Sequence, residues 1–461
     1  MNYPRLFALF LLATLTLRAA DLPALWAERV KSVVAVEYYT ETETDRRPSV
    51  CYGTVIDTNG TIILPPVAIN PRMTPSQLKE FKVYKAGSAT SVPAVYLGQD
   101  ALTGWHFVRA AESIRSELIP ITVYAARTSA EPAMAEEVWG IGLRNKDEDF
   151  MPYLLDSRVA LIQSLPQRTA IALHEVAGPG LPVFNLAGEF VGLAQSSFGQ
   201  SFVQFTRMDR NGTPVVLINV EESSAFQVAA EVLPCLGRVP TNVFGRPLAW
   251  LGASGLQPVD PDVGKFLKLE NQSGVVVSEV LEGSPAEKAG MKARDIILAV
   301  EGKPLPRLKP DRVVVGFLER EVARRNPGQT MGITVLRGES RVEVPVVLGE
   351  QPRLTTEAGR KYFDRIGLTI REFVFADAVA LRVKTSSLTG VIAHFVKPNG
   401  PAAIPGLRTD DWIKEIDGAE VPTFAAAVEK LGAIDADAQR ADFVLLVGRG
   451  NETAVLRVKL K

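Results

Sequence analysis

Gly178-Pro179-Gly180-Leu181-Pro182-Val183-Phe184-Asn185-Leu186-Ala187-Gly188-Glu189-Phe190-Val191-Gly192 is the stretch whose reading decides the fold of this chain. A Gly-Pro-Gly turn leads into an apolar run, Asn185-Leu186-Ala187-Gly188 reverses the chain, and Phe190-Val191 opens a second run, as in a hairpin. The same rhythm runs outward in both directions. Short β-branched and aromatic runs at Val33–Tyr38, Tyr52–Ile56, Thr61–Leu64, Phe81–Tyr84, Val92–Tyr96, Phe107–Arg109, Val138–Ile141, Phe190–Ala194 and Val215–Ile218 are separated by turn residues. That spacing predicts an all-β barrel or sandwich over residues 24–235. Leu22–Ser32 reads as an opening helix, and Glu222–Leu233 is helical in period and is expected to close the domain.

The hairpin and its flanking turn resemble the active-serine segment of HtrA-like proteases, trypsin-like periplasmic enzymes that carry PDZ domains. That family reads Gly-Asn-Ser-Gly-Gly-Pro-Leu before an Asn-Leu-x-Gly-Glu-Val-x-Gly hairpin. Aligned back from Pro182, the serine slot holds Pro179. Gly53-Thr54-Val55-Ile56-Asp57-Thr58-Asn59-Gly60-Thr61-Ile62-Ile63-Leu64-Pro65-Pro66-Val67-Ala68 resembles the histidine segment, and registered on Gly60 its histidine slot is Val67. Gly98 to Val108 resembles the aspartate strand, with Gly104 in the slot of the orienting aspartate. Acyl transfer by a serine needs an activated hydroxyl, a base beside it and a group that orients the base. Val67, Gly104 and Pro179 supply none, and proline also lacks the N–H that donates to the oxyanion. The resemblance therefore implies a trypsin-like double barrel without catalytic residues. Of the three histidines, His106 lies two residues past Gly104 and reads as a packed strand residue, and His174 as structural. A rescue through His106 needs a nearby nucleophile, and Ser196 and Ser197 lie well beyond the turn.

Bulk properties narrow the partners. The 461 residues suggest about three domains. Lys plus Arg (51) nearly equals Asp plus Glu (52), so no global field attracts nucleic acid. No zinc-ligand spacing and no phosphate-binding glycine loop occurs, so no metal and no cofactor is expected. Residues 1–20 have a cationic start, an apolar run and small residues at Ala19-Ala20, the pattern of a cleavable signal peptide; the run is too short to span a membrane. The mature chain is expected to be exported to the periplasm or beyond. Cys51 and Cys235, the only cysteines, read either as a disulfide or as two buried thiols.

The second half contains an internal repeat. Gly274-Val275-Val276, Ser284-Pro285-Ala286, Gly290-Met291, Asp295-Ile296-Ile297 and Glu301-Gly302 recur ungapped as Gly390-Val391, Pro401-Ala402, Gly406-Leu407, Asp411-Trp412-Ile413 and Asp417-Gly418. The signature resembles that of PDZ domains, which bind chain ends by strand addition, with the terminal carboxylate on loop N–H groups and the last side chain in an apolar pocket. The domains implied are a degenerate trypsin-like unit at 21–237, a first α+β PDZ domain at 240–350 and a second at 355–461. The carboxylate loops would be Trp250-Leu251-Gly252-Ala253 and Arg365-Ile366-Gly367-Leu368. The facing helices, Asp311–Arg320 and Phe424–Leu431, would offer Val314 and Leu318, and Val428 and Leu431. Because Leu251 and Ala253 present less apolar surface than Ile366 and Leu368, the second groove is expected to be the tighter.

The resulting expectation is an exported, non-catalytic HtrA-like protein that binds protein or peptide C-termini as scaffold, chaperone or regulator, alone, as a trimer, or with active relatives. The alternatives are an active serine endopeptidase with displaced catalytic residues and a structural envelope protein whose PDZ sites are vestigial.

Overall fold

A computed structural model describes residues 21–125, 131–164, 167–195, 205–208, 214–216, 223–269, 272–308, 311–384, 389–450 and 452–460. Residues 1–20, Ser196 and Ser197 lie outside the described residues. Helix α1 (Leu22–Arg29) and a 3-10 turn (Val30–Ser32) lead into six strands: β1 (Val33–Glu41), β2 (Arg46–Val55), β3 (Thr61–Leu64), β4 (Leu78–Lys85), β5 (Ser91–Gln99) and β6 (His106–Ala110). They close into a barrel in the order β1-β2-β3-β6-β5-β4. The β2–β3 turn follows from its residues: Gly60 takes φ +72° and the Asp57 side chain accepts the Thr61 N–H at 2.9 Å.

A second barrel holds β7 (Glu137–Leu143), β8 (Pro152–Gln163), β9 (Thr169–Ala172), β10 (Pro182–Asn185) and β11 (Phe190–Ala194). After a separate pair, β12 (Phe205–Met208) and β13 (Pro214–Val216), β14 (Ala225–Val228) completes it in the order β10-β11-β14-β9-β8-β7. The opening hairpin is β10–β11. Its turn is held from outside, where the Arg29 guanidinium donates to the Gly188 carbonyl at 3.1 and 2.8 Å. Trp139, Phe184, Phe190 and Phe226 fill the core, which continues into the first barrel through Val33, Ile63 and Phe107. Two expectations need correction. Ala225–Val228 is a buried strand between β9 and β11, because closing the barrel outweighs helical period, and only Ala229–Val232 (α2) is helical. The long β8 was not anticipated, since its apolar residues are largely half exposed.

Two α+β units with antiparallel sheets follow. The first comprises β15 (Ala249–Trp250), β16 (Ala253–Ser254), β17 (Gln257–Pro258), α3 (Pro261–Phe266), β18 (Val275–Val276), β19 (Glu279–Val280), α4 (Pro285–Lys288), β20 (Ile296–Val300), β21 (Lys303–Pro304), α5 (Val313–Ala323), β22 (Thr330–Arg337), β23 (Ser340–Val347) and β24 (Gly349–Glu350). Its sheet runs β17-β18-β20-β22-β23. The second comprises β25 (Arg360–Phe363), β26 (Leu368–Glu372), α6 (Phe375–Leu381), β27 (Val391–Val396), β28 (Trp412–Ile416), β29 (Ala419–Glu420), α7 (Phe424–Ala436), β30 (Asp442–Arg449) and β31 (Glu452–Lys459), in the order β25-β26-β27-β28-β30-β31. Thus α5 begins two residues later than expected and runs further, and α7 extends to Ala436.

The repeat is structural as well as sequential. Asp295 accepts from Arg337 Nε and Nη2 at 2.8 and 2.7 Å, and Asp411 from Arg449 at 2.7 and 2.5 Å. Each arginine also donates to a glycine carbonyl, Gly290 at 2.9 Å and Gly406 at 3.0 Å. Burial pushes the Asp295 carboxyl up, but hydrogen bonds from Arg337 and the Lys292 N–H outweigh it and hold its pKa below the usual range.

Candidate functional sites

The three residues expected at the histidine, aspartate and serine slots lie around Pro65 and Pro66. Val67 sits in a 3-10 turn (Pro66–Ala68) and is 51% exposed. Gly104 has φ +71°, and a Cβ added there would lie 3.2 Å from Pro66 Cγ. Pro179 precedes Gly180 (φ +80°), where an added Cβ would meet Pro65 Cδ at 2.5 Å. The Thr54 hydroxyl locks this turn by donating to the Gly180 carbonyl at 2.7 Å. A Cβ at Gly180 would therefore clash with Pro65, whereas one at Gly104 would be tight against Pro66, and none of Val67, Gly104 and Pro179 offers a nucleophile or a base.

His106 is buried at 3% exposure, with Nδ1 2.9 Å from the Tyr96 hydroxyl and no hydrogen-bond partner for Nε2 among the described residues. Burial pulls its pKa down to about 4, so the ring is neutral at ordinary pH. His174 is exposed. Both cysteines are free; burial pushes the Cys51 thiol up to about 12. Among the described residues no group of His, Cys, Asp and Glu could hold a metal ion.

In the first α+β unit, Leu251, Val314 and Leu318 are buried in one cluster against which Ala253 packs. Trp250 rests edge-on against Phe375 of α6, 5.5 Å between ring centres. Gly252, at φ +81°, is held so close to Ser284 that a Cβ would lie 2.2 Å from that residue's Cβ. The Leu251 and Gly252 carbonyls accept from Ala286 and Leu281 N–H at 2.9 and 3.0 Å. Their own N–H groups have no acceptor among the described residues. β16 pairs with β19 and β17 with β18; among the described residues the other edge of each is unpaired, and α5 lies beside β17. A cleft of about 90 Å³ between β17 and the start of α5 is lined by Pro258, Lys265, Asp311 and Val314.

In the second unit, Ile366, Leu368 and Leu431 share a core with Val428 at its margin. The loop carbonyls repeat the first unit's bonds, Ile366 accepting from Ala402 N–H at 3.1 Å and Gly367 from Lys397 N–H at 2.9 Å. The donors differ. Ile366 N–H donates to Asp435 Oδ1 at 3.1 Å, and Gly367 N–H to the Phe363 carbonyl at 2.8 Å. Arg365 fastens the loop to the end of α7, donating to the carbonyls of Ile434 at 3.1 Å and of Asp437 and Arg440. β26 is paired on both edges, with β27 and with β25.

A PDZ-domain family model matches residues 276–318, from β18 into α5. The chain is 29% identical over 287 residues to a protein of Ectopseudomonas mendocina (strain ymp) named "Probable periplasmic serine endoprotease DegP-like", covering 60% of this chain and 53% of the relative. A Chlamydia pneumoniae protein of the same name is 27% identical over 204 residues, covering 44% and 39%. Over these stretches the chain is similar to HtrA/DegP-like serine proteases and carries a PDZ match. It spans about half the length or less of these two relatives. In fold it is similar to a solved structure described as "HtrA-type protease AlgW with decapeptide", at 14% identity and a TM-score of 0.50, over 72% of this chain and 98% of that one.

Within this HtrA-like chain, the sequence pointed to the loop and helix residues that cluster in each unit but not to β25, Phe363 and Asp435. The signal for β25 was available: Arg360-Lys361-Tyr362-Phe363 is a short run rich in aromatic residues immediately before a turn. What it pairs with is set by tertiary contacts.

Proposed function

We propose that this HtrA-like protein is an exported, non-catalytic binder of polypeptide C-termini, acting in the periplasm at its first PDZ groove. The observation that carries the reading is the pair of N–H groups at Leu251 and Gly252, without acceptors among the described residues, beside the apolar cluster of Leu251, Val314 and Leu318. Such donors favour a carboxylate, and the open edge of β16 and β17 offers a place for an added strand. The replacement of the serine, histidine and aspartate slots by Pro179, Val67 and Gly104 argues against peptide hydrolysis. The relatives' names place them in the periplasm as endoproteases, which supports an exported setting for this chain. Among the described residues no helix is long and apolar enough to cross a membrane.

The sequence ranking of the two grooves is reversed in this reading, because the second loop's donors and its strand edge are already engaged. The test is a titration of the full chain with a labelled peptide ending in a free apolar residue, and with the same peptide amidated. The acid should bind at least tenfold more tightly; equal affinities would sink the carboxylate site. Casein incubated with the same preparation should remain intact.

A further inference from the structure

We infer that residues Arg360–Phe363 are a resident ligand of the second PDZ-like groove, a strap that keeps it closed to external chain ends. The inference rests on the reading that such grooves in this chain take C-termini. An incoming peptide would pair antiparallel with the edge of β26 not used by β27, facing the helix that lines the groove. That edge is taken. β25 pairs antiparallel with β26, setting Arg360 against Arg371, Lys361 against Ile370, Tyr362 against Thr369 and Phe363 against Leu368, and α7 lies beside it.

The strap runs in the direction a bound peptide would take, with its last residue nearest the loop. Phe363 stands in the place of a terminal side chain. It is 2% exposed and clusters with Ile366, Leu368 and Leu431, the residues expected to line the pocket. Asp435 supplies a carboxylate to the Ile366 N–H, the role a peptide's own terminus would fill. The strap is also fastened upstream, where Glu357, 8% exposed, receives Arg246 Nε and Nη2 at 3.0 and 2.9 Å. A barrel residue reaches the same hairpin: Thr369, opposite Tyr362, donates through Oγ1 to Glu43 Oε1 at 2.8 Å. Among the described residues the first unit has no such strap. There the residues before the loop, Ala249 and Trp250, pair with Glu350 and Gly349 instead.

The Glu372 N–H to Gly359 carbonyl bond (2.9 Å) sets the alternation of the ladder, so that Lys361 and Phe363 are the strap residues whose N–H groups face β26. Lys361 is exposed, so Lys361→Pro removes a strap donor without disturbing the buried Phe363. The experiment titrates the full chain with a peptide of sequence Gly-Arg-Lys-Tyr-Phe ending in a free carboxylate. Wild type should bind one equivalent and Lys361→Pro two. A folded Lys361→Pro protein that gains no equivalent, or a wild type that already binds two, overturns the strap. Should wild type bind none and Lys361→Pro one, the strap stands and the first-groove reading fails. A second variant covers the case in which Lys361→Pro does not fold. Tyr362→Cys with Thr369→Cys joins a directly opposed pair, and its oxidised form should bind one equivalent only; two equivalents on the oxidised chain would again refute the strap.

Discussion

The Asp435 carboxylate lies 3.1 Å from the Ile366 N–H, while the matching Leu251 N–H in the first repeat has no acceptor among the described residues. Two copies of one motif thus present opposite faces to a ligand. In one copy the Leu251 and Gly252 donors have no acceptor among the described residues, and in the other the donors are engaged from within the same chain.

Removing that internal carboxylate should loosen the second loop. Asp435→Ala leaves the buried Ile366 with an N–H that has lost its acceptor, a defect worth about 1–3 kcal/mol. Amides of β26 should exchange faster in the variant while those of β20 and β22 remain unchanged. Equal protection in both proteins would show that the bond contributes nothing to the closed loop.

The two loop glycines should differ in their tolerance of a side chain. Both have positive φ, +81° at Gly252 and +69° at Gly367. At Gly252 the added Cβ falls 2.2 Å from Ser284 Cβ, whereas at Gly367 it falls 3.1 Å from Lys397 Cβ. Gly252→Ala should therefore cost its unit more than Gly367→Ala costs the other, with the strained backbone alone contributing roughly 1–3 kcal/mol at each site. Hydrogen exchange resolved by unit decides this, and Gly252→Ala should also abolish preference for acid over amide peptides.

His106 predicts an acid-side loss of stability in the first barrel. Its folded pKa, about 4, lies below the ordinary value of 6.5, so the unfolded chain binds the proton more readily. The neutral buried ring contributes fully above about pH 6.5, and the contribution fades as pH falls through the window towards 4. The loss is on the order of 3 kcal/mol. In His106→Phe the slope of stability between about pH 4 and 6.5 should flatten, by chemical denaturation at each pH. An unchanged slope would assign the acid sensitivity to other groups.

Rebuilding a triad should not restore hydrolysis. Val67→His, Gly104→Asp and Pro179→Ser together return the side chains, but Gly104 has φ +71° and only 3.2 Å between its Cβ position and Pro66. The Pro65 ring likewise fills the space beside Gly180. Casein cleavage by the triple variant above the level of the parent chain would show that these prolines do not shape the cleft.

Local chemistry made much of this protein legible in one dimension. Turn residues and short apolar runs announced an all-β barrel or sandwich, because strands are specified by nearest-neighbour pattern and reversals by Gly, Pro and Asn; that it closes as two barrels is visible only in the strand pairing. The repeated Pro-Ala, Asp-x-Ile and x-Gly elements announced two copies of one unit. Tertiary structure alone decided the rest. Helical period misled at Ala225–Val228, where barrel closure recruited a helical-looking stretch as a strand. The matching arginines of the repeat, Arg337 and Arg449, lie far along the chain from Asp295 and Asp411, so their pairing has no local signature. Above all, Arg360–Phe363 carries no mark that says which edge it joins. Strand pairing depends on which donors and acceptors are left free once the core has packed, and in this chain that choice covers β26 on both edges while, among the described residues, β16 and β17 each keep one edge unpaired.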